Sequence, residues 1–305
     1  MYELVIVGGG PAGVAAGVYA SRKRLRTLFI TKEWGGQSVV SESIQNWIGT
    51  PSLSGRALAE NLKEHLFAYA DKFVDVKEDK VISIKKATDG FVVTTERDER
   101  FTARAILIAS GSKRRQLSVP GADVFEHKGL TYCASCDGPL FAGENVAVIG
   151  GGNAAFETAA QLLAYAKSVT LLQRGEKFRA DPVTVERVLA HPAMKAFTNV
   201  NLEEILGDNF VSGLTYRIGA DAPQTLAVKG VFVEIGLVPN TDFLDGLVSL
   251  DEYKRIVIDP WTQKTSAPNI WAAGDCTNVR YHQNNISAGD GVRALEDIYV
   301  CLTTK

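Results

Sequence analysis

Two cysteines with two residues between them, Cys133 and Cys136, can open and close a disulfide with little backbone movement. At a helix start, the thiolate of such a pair is favoured by the helix dipole and the free N–H groups there. The stretch Cys133-Ala134-Ser135-Cys136-Asp137 therefore reads as a redox dithiol. It stands shortly before Gly150-Gly151-Gly152-Asn153-Ala154-Ala155, a dinucleotide-binding turn, so a thiol couple and a hydride donor's cradle are neighbours in sequence. Half a zinc site and a structural disulfide are the other uses of such a pair. Closed zinc sites take four ligands, usually as two close pairs. Cys276 and Cys301 stand singly, and none of His65, His127, His191 and His282 pairs at ligand spacing. No metal site is expected, and Cys276 and Cys301 read as small buried or partly buried thiols.

A thiol couple needs elements to place it and an electron source to reduce it, and the chain supplies two cradles. The run Tyr2 to Val7 is a strand that ends in Gly8-Gly9-Gly10-Pro11-Ala12-Gly13, and Ala12 to Arg24 reads as a helix rich in small residues. Gly8 and Gly10 let the backbone turn and approach a pyrophosphate, Gly13 and Gly17 let the helix lie close to the sheet, and the helix N-terminus faces the negative charge. After a second strand, Thr27 to Thr31, the acid expected about twenty residues past the glycines to hold the adenosine ribose is Glu33. Backbone in the turn Trp34-Gly35-Gly36-Gln37 is the alternative. The unit recurs at Asn145 to Ile149, with Gly150, Gly152 and Ala155 in the small-residue positions and a helix from Phe156 to Lys167. Two cradles imply two dinucleotides.

Each unit continues into strands of antiparallel character, Val81 to Ile84, Phe91 to Thr95 and Phe101 to Ile108 in the first, Leu214 to Ile218 and Leu226 to Ile235 in the second. A further apolar run from Asn269 ends in Gly274-Asp275, with a helix pattern from Ala288 to Leu302 behind it. Asp275 there suits either a sugar hydroxyl, such as the ribitol of a flavin, or a helix cap or turn. The fold expected is α/β, two Rossmann-like dinucleotide-binding domains, each three-layered.

The 305 residues are enough for two domains, and a hydrophobic fraction of 46% with a charged fraction of 22% is that of a globular protein. A net charge of −2 argues against general affinity for nucleic acid or anionic membrane. No signal peptide or membrane-length apolar run is read, and few cysteines with one close pair suit a reducing compartment, so a cytoplasmic protein is expected.

The arrangement resembles the low-molecular-weight thioredoxin reductase family and its relative, the flavoprotein subunit of alkyl hydroperoxide reductase. The likeness spans the chain. It rests on Gly8-x-Gly10-x-x-Gly13, Gly35-Gly36-Gln37, Asn46-Trp47, Ala109-Ser110-Gly111, Cys133-x-x-Cys136-Asp137-Gly138, Gly150-Gly151-Gly152-Asn153, Phe178-Arg179-Ala180, Gly236-Leu237-x-Pro239-Asn240, Ala273-Gly274-Asp275 and Gln283. The resemblance implies FAD in the first unit and C-terminal segment, held by Gly8, Gly10, Pro11, Ala12, Gly13, Glu33, Gly36, Gln37, Asn46, Val81, Ala109, Gly111, Asp275 and Gln283. It implies NADPH in the inserted unit, at Gly150, Gly152, Asn153, Ala154, Arg174 and Arg179. Domains are expected at 1–114, 115–244 and 245–305, with joints near Lys113 to Val119 and Thr241 to Gly246. By the same resemblance the protein is a homodimer whose middle domain swivels. Cys136 faces the flavin, Cys133 attacks the partner's disulfide, and Asp137 relays the proton, an acid role that asks for a raised pKa; a turn aspartate before Gly138 is its plainer use.

The chain also departs from that pattern. Gln173-Arg174-Gly175 stands where thioredoxin reductases typically have His-Arg-Arg, so Arg174 and Arg179 favour NADPH, with a weaker preference than usual. Gly138-Pro139-Leu140-Phe141 and Gly274-Asp275-Cys276-Thr277 are closer to the hydroperoxide reductase flavoprotein. That flavoprotein has an N-terminal thioredoxin-like region and this chain opens on the first strand, so a separate thioredoxin- or glutaredoxin-like protein is the expected acceptor. The rival expectations are an electron feeder for a peroxidase system, a reductase fed by ferredoxin or another carrier, and a flavin-binding redox sensor. Asn284 and Asn285 stand where the family usually has apolar residues, and the sequence offers no account of them.

Overall fold

A computed structural model describes residues 1–304 except 42, 43, 45 and 71, and at 135 and 136 the backbone alone. The chain divides into two compact units, Met1–Lys113 with Val238–Lys305, and Arg114–Leu237. Insertion of the second unit into the first is thus seen directly.

The first unit runs β1 (Tyr2–Gly9), α1 (Pro11–Arg22), β2 (Thr27–Trp34), α2 (Gly55–Ala70), β3 (Val74–Glu78), β4 (Val81–Ala87), β5 (Gly90–Thr95), β6 (Arg100–Ile108) and β7 (Ser112–Arg114). In the second unit follow β8 (Leu130–Thr131), α3 (Ala134–Asp137), β9 (Asn145–Ile149), α4 (Asn153–Leu162), β10 (Ser168–Leu172), α5 (Pro182–Leu189), β11 (Met194–Phe197), β12 (Val200–Gly207), β13 (Val211–Ile218), β14 (Gln224–Leu226) and β15 (Gly230–Val233). The chain returns through β16 (Leu237–Pro239) to β17 (Ile270–Ala272) and α6 (Asn284–Thr303).

Sheet order in the first unit is β3-β2-β1-β6-β5-β4, with β17 also paired to β6. β1 pairs in parallel with β2 and β6, and β6 pairs antiparallel with β5. Because side chains alternate along a strand, Leu4, Ile6, Phe29 and Leu107 bury one face against α1, α2 and α6. Val5, Val7, Leu28, Ile30 and Ile106 bury the other against β4, β5 and the segment carrying Leu244, Val248 and Ile256. The second unit repeats the scheme. Its sheet β11-β10-β9-β15-β8 is parallel throughout. One face, with Val146, Val148, Val169 and Leu171, packs on α4 and on Val188 of α5. The opposite face, with Ala147, Ile149, Val231 and Val233, packs on the antiparallel set β12-β13-β14.

Several boundaries differ from the sequence expectation, among them the start of α6 at Asn284 rather than Ala288. The second joint falls at Leu237/Val238 rather than after residue 244, because Leu244 is buried in the first unit's core with Val248 and Ile256. The expected strand Leu226 to Ile235 is two strands: β14 pairs antiparallel with β13, whereas β15 joins the parallel sheet beside β9. Phe232 lies at the heart of that sheet's helical face, and Gly230 comes against the Phe141 ring, where a Cβ would be 2.8 Å from it. α4 stops at Leu162, not Lys167, since Ala164 and Tyr165 bond back as turns to Gln161 and Leu162 before β10 begins. No helix among the described residues is long and apolar enough to cross a membrane.

In the first unit α6 comes so near α1 that a Cβ at Gly291 would overlap the Ala12 carbonyl. Gly289, on the same helix, has nothing within 4 Å of its Cβ position. The two glycines therefore behave oppositely. Gly291→Ala is expected to lower stability by about 1–3 kcal/mol through overpacking. Gly289→Ala is expected to raise it by about 0.5–1 kcal/mol through helix propensity. Urea unfolding of both variants checks the pair, and equal effects would contradict the packing.

Candidate functional site

In the first unit, the chain leaves β1 through Gly8, whose φ of +120° and close approach to the Ala109 carbonyl at the end of β6 exclude a side chain. A Cβ on Gly13 would in turn overlap the Gly8 carbonyl, so α1 sits directly on the turn. Gly10 is the N-cap of α1 in extended conformation and receives no side-chain cap; Pro11 follows at the first helical position. The Ala12 and Gly13 N–H groups of the first turn thus have no intrahelical acceptor, while the Val14 N–H donates to the Gly10 carbonyl. A Cβ at Gly10 would find only Gly36 Cα, at 4.0 Å, and Gly36 itself has φ +62°. Gly111, φ +63°, also opens on free space. The result is a backbone-walled cradle at a positive helix end, shaped for a pyrophosphate.

Around it the polar groups converge. Gln37 Nε2 donates to Ser112 Oγ at 2.9 Å and to Asp275 Oδ2 at 3.0 Å. Ser287 Oγ donates to Asp275 Oδ1 at 3.1 Å, and His282 Nδ1 lies 3.4 Å from the same oxygen. Asp275 does not cap α6, whose N-cap is Gln283. Asn46 Nδ2 donates to Gln283 Oε1 at 3.0 Å. Glu33 stands exposed near the end of β2. Val81 turns its side chain into the apolar core, and Ala12 and Ala109 are likewise buried, so these three offer a ligand only backbone. A glycine cradle, one carboxylate (Asp275), three carboxamides (Gln37, Asn46 and Gln283) and an exposed acid at the β2 end are the donor and acceptor set that an FAD needs along its length, and the residues fit it.

The second unit repeats the cradle. Gly150, φ +144°, comes against the Glu234 carbonyl, and Gly152 caps α4 with nothing within 4 Å of its Cβ position. Asn153 Oδ1 accepts from the Asp181 N–H at 2.8 Å, and the Arg179 N–H donates to the Gly151 carbonyl at 2.7 Å. These bonds fold the 173–181 loop over the turn. Ala154, Arg174 and Arg179 keep solvent access, and neither arginine has an ion-pair partner among the described residues. The Gln173 side chain lies against Gly151 and donates from Nε2 to the Lys177 carbonyl at 3.2 Å.

Cys133 follows β8 at the start of α3 and is disulfide-bonded. The side chain of Cys136 lies outside the described residues, while Cys276 and Cys301 are free thiols. Burial pushes the Cys276 thiol up to about 11, which leaves it inert. Thr131, buried at the end of β8, joins the pair's flanks. Its hydroxyl donates to Asp137 Oδ2 and accepts from the Cys133 N–H at 3.2 Å. Sequence reasoning passed over Thr131, although a hydroxyl two residues before a helix-start cysteine is a local signal. It also passed over Glu234, an acid inside the apolar run 230–235. There Thr158 Oγ1 donates to Glu234 Oε1 at 2.9 Å, and burial holds its carboxyl above the ordinary carboxylate range.

The pyridine nucleotide-disulphide oxidoreductase family matches residues 2–291. The chain is 37% identical over 294 residues to a protein named NADH dehydrogenase from Bacillus subtilis (strain 168), covering 96% of this chain and 57% of that one. It is 38% identical over 298 residues to the F component of alkyl hydroperoxide reductase from Escherichia coli (strain K12), again covering 96% and 57%. The chain thus spans a little over half the length of these relatives. The crystal structure of thioredoxin reductase from Streptococcus pyogenes superposes with a TM-score of 0.81 at 32% identity, over 100% of this chain and 99% of that one.

Two measurements probe the second unit. Thr131→Val removes a hydroxyl with two partners, and is expected to cost about 1–3 kcal/mol by urea unfolding; an unchanged midpoint would show that the hydroxyl carries nothing. For Glu234 the folded-state carboxyl titrates above its unfolded value, so folding disfavours the ionised form. Stability conferred at low pH is lost as pH rises from the unfolded value through the folded one. Glu234→Gln is expected to flatten that fall, which begins near the ordinary carboxylate range of about 4, and an unaltered pH profile would contradict it.

Proposed function

Because this chain belongs to the pyridine nucleotide-disulphide oxidoreductase family, we propose that it is a flavoprotein disulfide reductase of the thioredoxin reductase kind. NADPH is the reductant, and the disulfide of a thioredoxin- or glutaredoxin-like protein is the acceptor. The observation that carries this reading is the pairing, in one chain, of two glycine-walled helix N-termini with a cysteine couple on the sheet of the second. FAD, when bound, supplies a centre that takes up two electrons from a nicotinamide and passes them to a disulfide.

The chain's own groups divide the remaining work. Gly8, Gly10, Pro11, Ala12 and Gly13 present α1's first-turn N–H groups to the flavin pyrophosphate, and Glu33 takes the adenosine ribose. Gln37 and Asp275 hold the ribitol hydroxyls; Asn46 and Gln283 meet the ring edge; Gly36, Val81, Ala109 and Gly111 contribute backbone. Gly150, Gly152, Asn153 and Ala154 receive the nicotinamide dinucleotide at α4, and Arg174 and Arg179 its additional phosphate. In the reduced dithiol, Cys133 attacks the acceptor disulfide, and Cys136 then displaces the acceptor's second thiol to restore the Cys133–Cys136 bond. Two electrons and two protons leave with the acceptor. Asp137, held by the Thr131 hydroxyl, stands beside the pair to give or take the proton. The protein would act as a cytoplasmic homodimer. The likeness to the F component of alkyl hydroperoxide reductase favours a second reading, in which the acceptor belongs to a peroxide-reducing system.

Anaerobic addition of NADPH to the yellow protein is expected to bleach the flavin band, and Cys133→Ser to abolish reduction of a thioredoxin disulfide while FAD stays bound. A colourless protein, or full activity in the variant, would overturn the reading. Arg174→Ala is expected to lower kcat/KM for NADPH about tenfold, as loss of one charge-assisted phosphate bond does, and to leave NADH within about twofold. Equal or better efficiency with NADH in the unaltered protein would contradict the assignment of the arginines.

A further inference from the structure

The two asparagines that open α6 are engaged in an interlocking set of bonds. Asn285 Nδ2 donates to the Asn46 carbonyl at 2.6 Å, and its Oδ1 accepts from the Ile48 N–H at 3.3 Å. One side-chain amide therefore pairs with the backbone at 46 and 48 as a neighbouring strand would. Asn46 in turn donates to Gln283 Oε1, and Ser38 Oγ to Asn284 Oδ1 at 2.9 Å. Trp47 packs on the first unit's core while Ile48 is 82% exposed, so the amide holds the backbone on either side of that single apolar anchor.

We propose that Asn285 is a positioning residue of the flavin site: its carboxamide clamps the 46–48 segment to the first turn of α6 and so fixes the mutual aim of Asn46 and Gln283. This rests on the flavoprotein reading above. The clamp needs a group that donates to a carbonyl and accepts from an N–H two residues on, which a carboxamide does and a carboxylate cannot. With Gln283 Oε1 occupied by Asn46, the Gln283 Nε2 is left as the group offered to a ligand, so the chain of amides selects a donor at that point. Were Asn285 lost, Asn46 would be free to turn, and Gln283 with it.

Asn285→Asp separates clamp from helix. The two side chains are nearly equal in size, and an acid in the first turn suits the helix dipole, so α6 itself is not weakened. In the aspartate variant one carboxylate oxygen faces the Asn46 carbonyl with no proton to give. Three quantities are compared between the FAD-loaded protein and the variant: hydrogen exchange of the Ile48 amide, the rate of FAD release, and the shape of the flavin absorption band. The variant is expected to exchange at least about fivefold faster at Ile48, to release FAD about tenfold faster, and to shift the band, with its thermal midpoint little changed. Asn285→Gln, which keeps a carboxamide, is expected to recover part of the retention. Release and band shape like those of the unaltered protein would overturn the proposal, whether or not exchange rises, as would an Asn285→Gln protein that releases FAD as fast as the aspartate variant. If the unaltered protein itself held no FAD, the flavoprotein reading would fall and this one with it, whereas tight FAD in both proteins sinks the clamp alone.

Discussion

The constraint on which the first unit depends is the backbone contact among three glycine-bearing segments. Gly8 lies on the Ala109 carbonyl, Gly13 on the Gly8 carbonyl, and Gly291 on the Ala12 carbonyl. Each contact is one that a single added carbon would break. Together they set the start of α1 against the ends of β1 and β6 and lay α6 along α1. The end of the helix, with its unpaired N–H groups, is held in place by main-chain contact rather than by side chains that could repack. A helix end held this way is rigid: its donors are already aimed, so little ordering would be needed to bind an anion there.

The second unit reaches the same end by a slightly different route. Gly150 again requires a positive φ and lies on a carbonyl, that of Glu234, but the third position is Ala155, fully buried. Tolerance for a methyl there means that α4 stands a little farther from its turn than α1 does. The difference is made up by side-chain and loop bonds, from the Asp181 N–H to Asn153 and from the Arg179 N–H to Gly151, that close the 173–181 loop on the turn. The loop that carries Arg174 and Arg179 is thus held by the same bonds that hold the turn. Gln173, tied to the Lys177 carbonyl, occupies the end of β10 with a neutral amide. It neither repels an added phosphate nor provides the carboxylate that a ribose diol favours.

What was legible in the sequence follows from the range of the forces involved. The two cradles could be read because glycine's conformational freedom and a helix start are local properties, and β1, β2, β9 and β10 because short apolar runs ending in glycine or polar turns mark buried strands. Beyond that range the reading failed in an orderly way. That Leu244 packs with Val248 and Ile256, moving the joint to Leu237/Val238, depends on which core is nearest. That β15 joins β9 in parallel depends on sheet order, which no local run of apolar residues records. Thr131 and Glu234 escaped for a related reason, since a hydroxyl or an acid in an apolar stretch declares itself only once its partner is known. Asn285 is the extreme case: its partners Asn46 and Ile48 lie more than two hundred residues away in the chain.

The chemistry at the start of α6 is mostly neutral. Gln37, Asn46, Gln283, Asn284 and Asn285 are all carboxamides, and the carboxylate of Asp275 accepts from Gln37 and Ser287 and lies near His282. A second acid, Asp290, lies deeper, where burial raises its carboxyl above the ordinary range and Arg293 offsets part of that cost. Carboxamides carry a donor and an acceptor without a net charge, so a rim built from them can hold sugar hydroxyls and ring edges while adding no field of its own. Charge at this end then comes from the α6 N-terminus, from Asp275, and from the deeper Asp290 with its partner Arg293. Any group that gains negative charge near the helix end is stabilised by it, and the amides keep that effect from being cancelled.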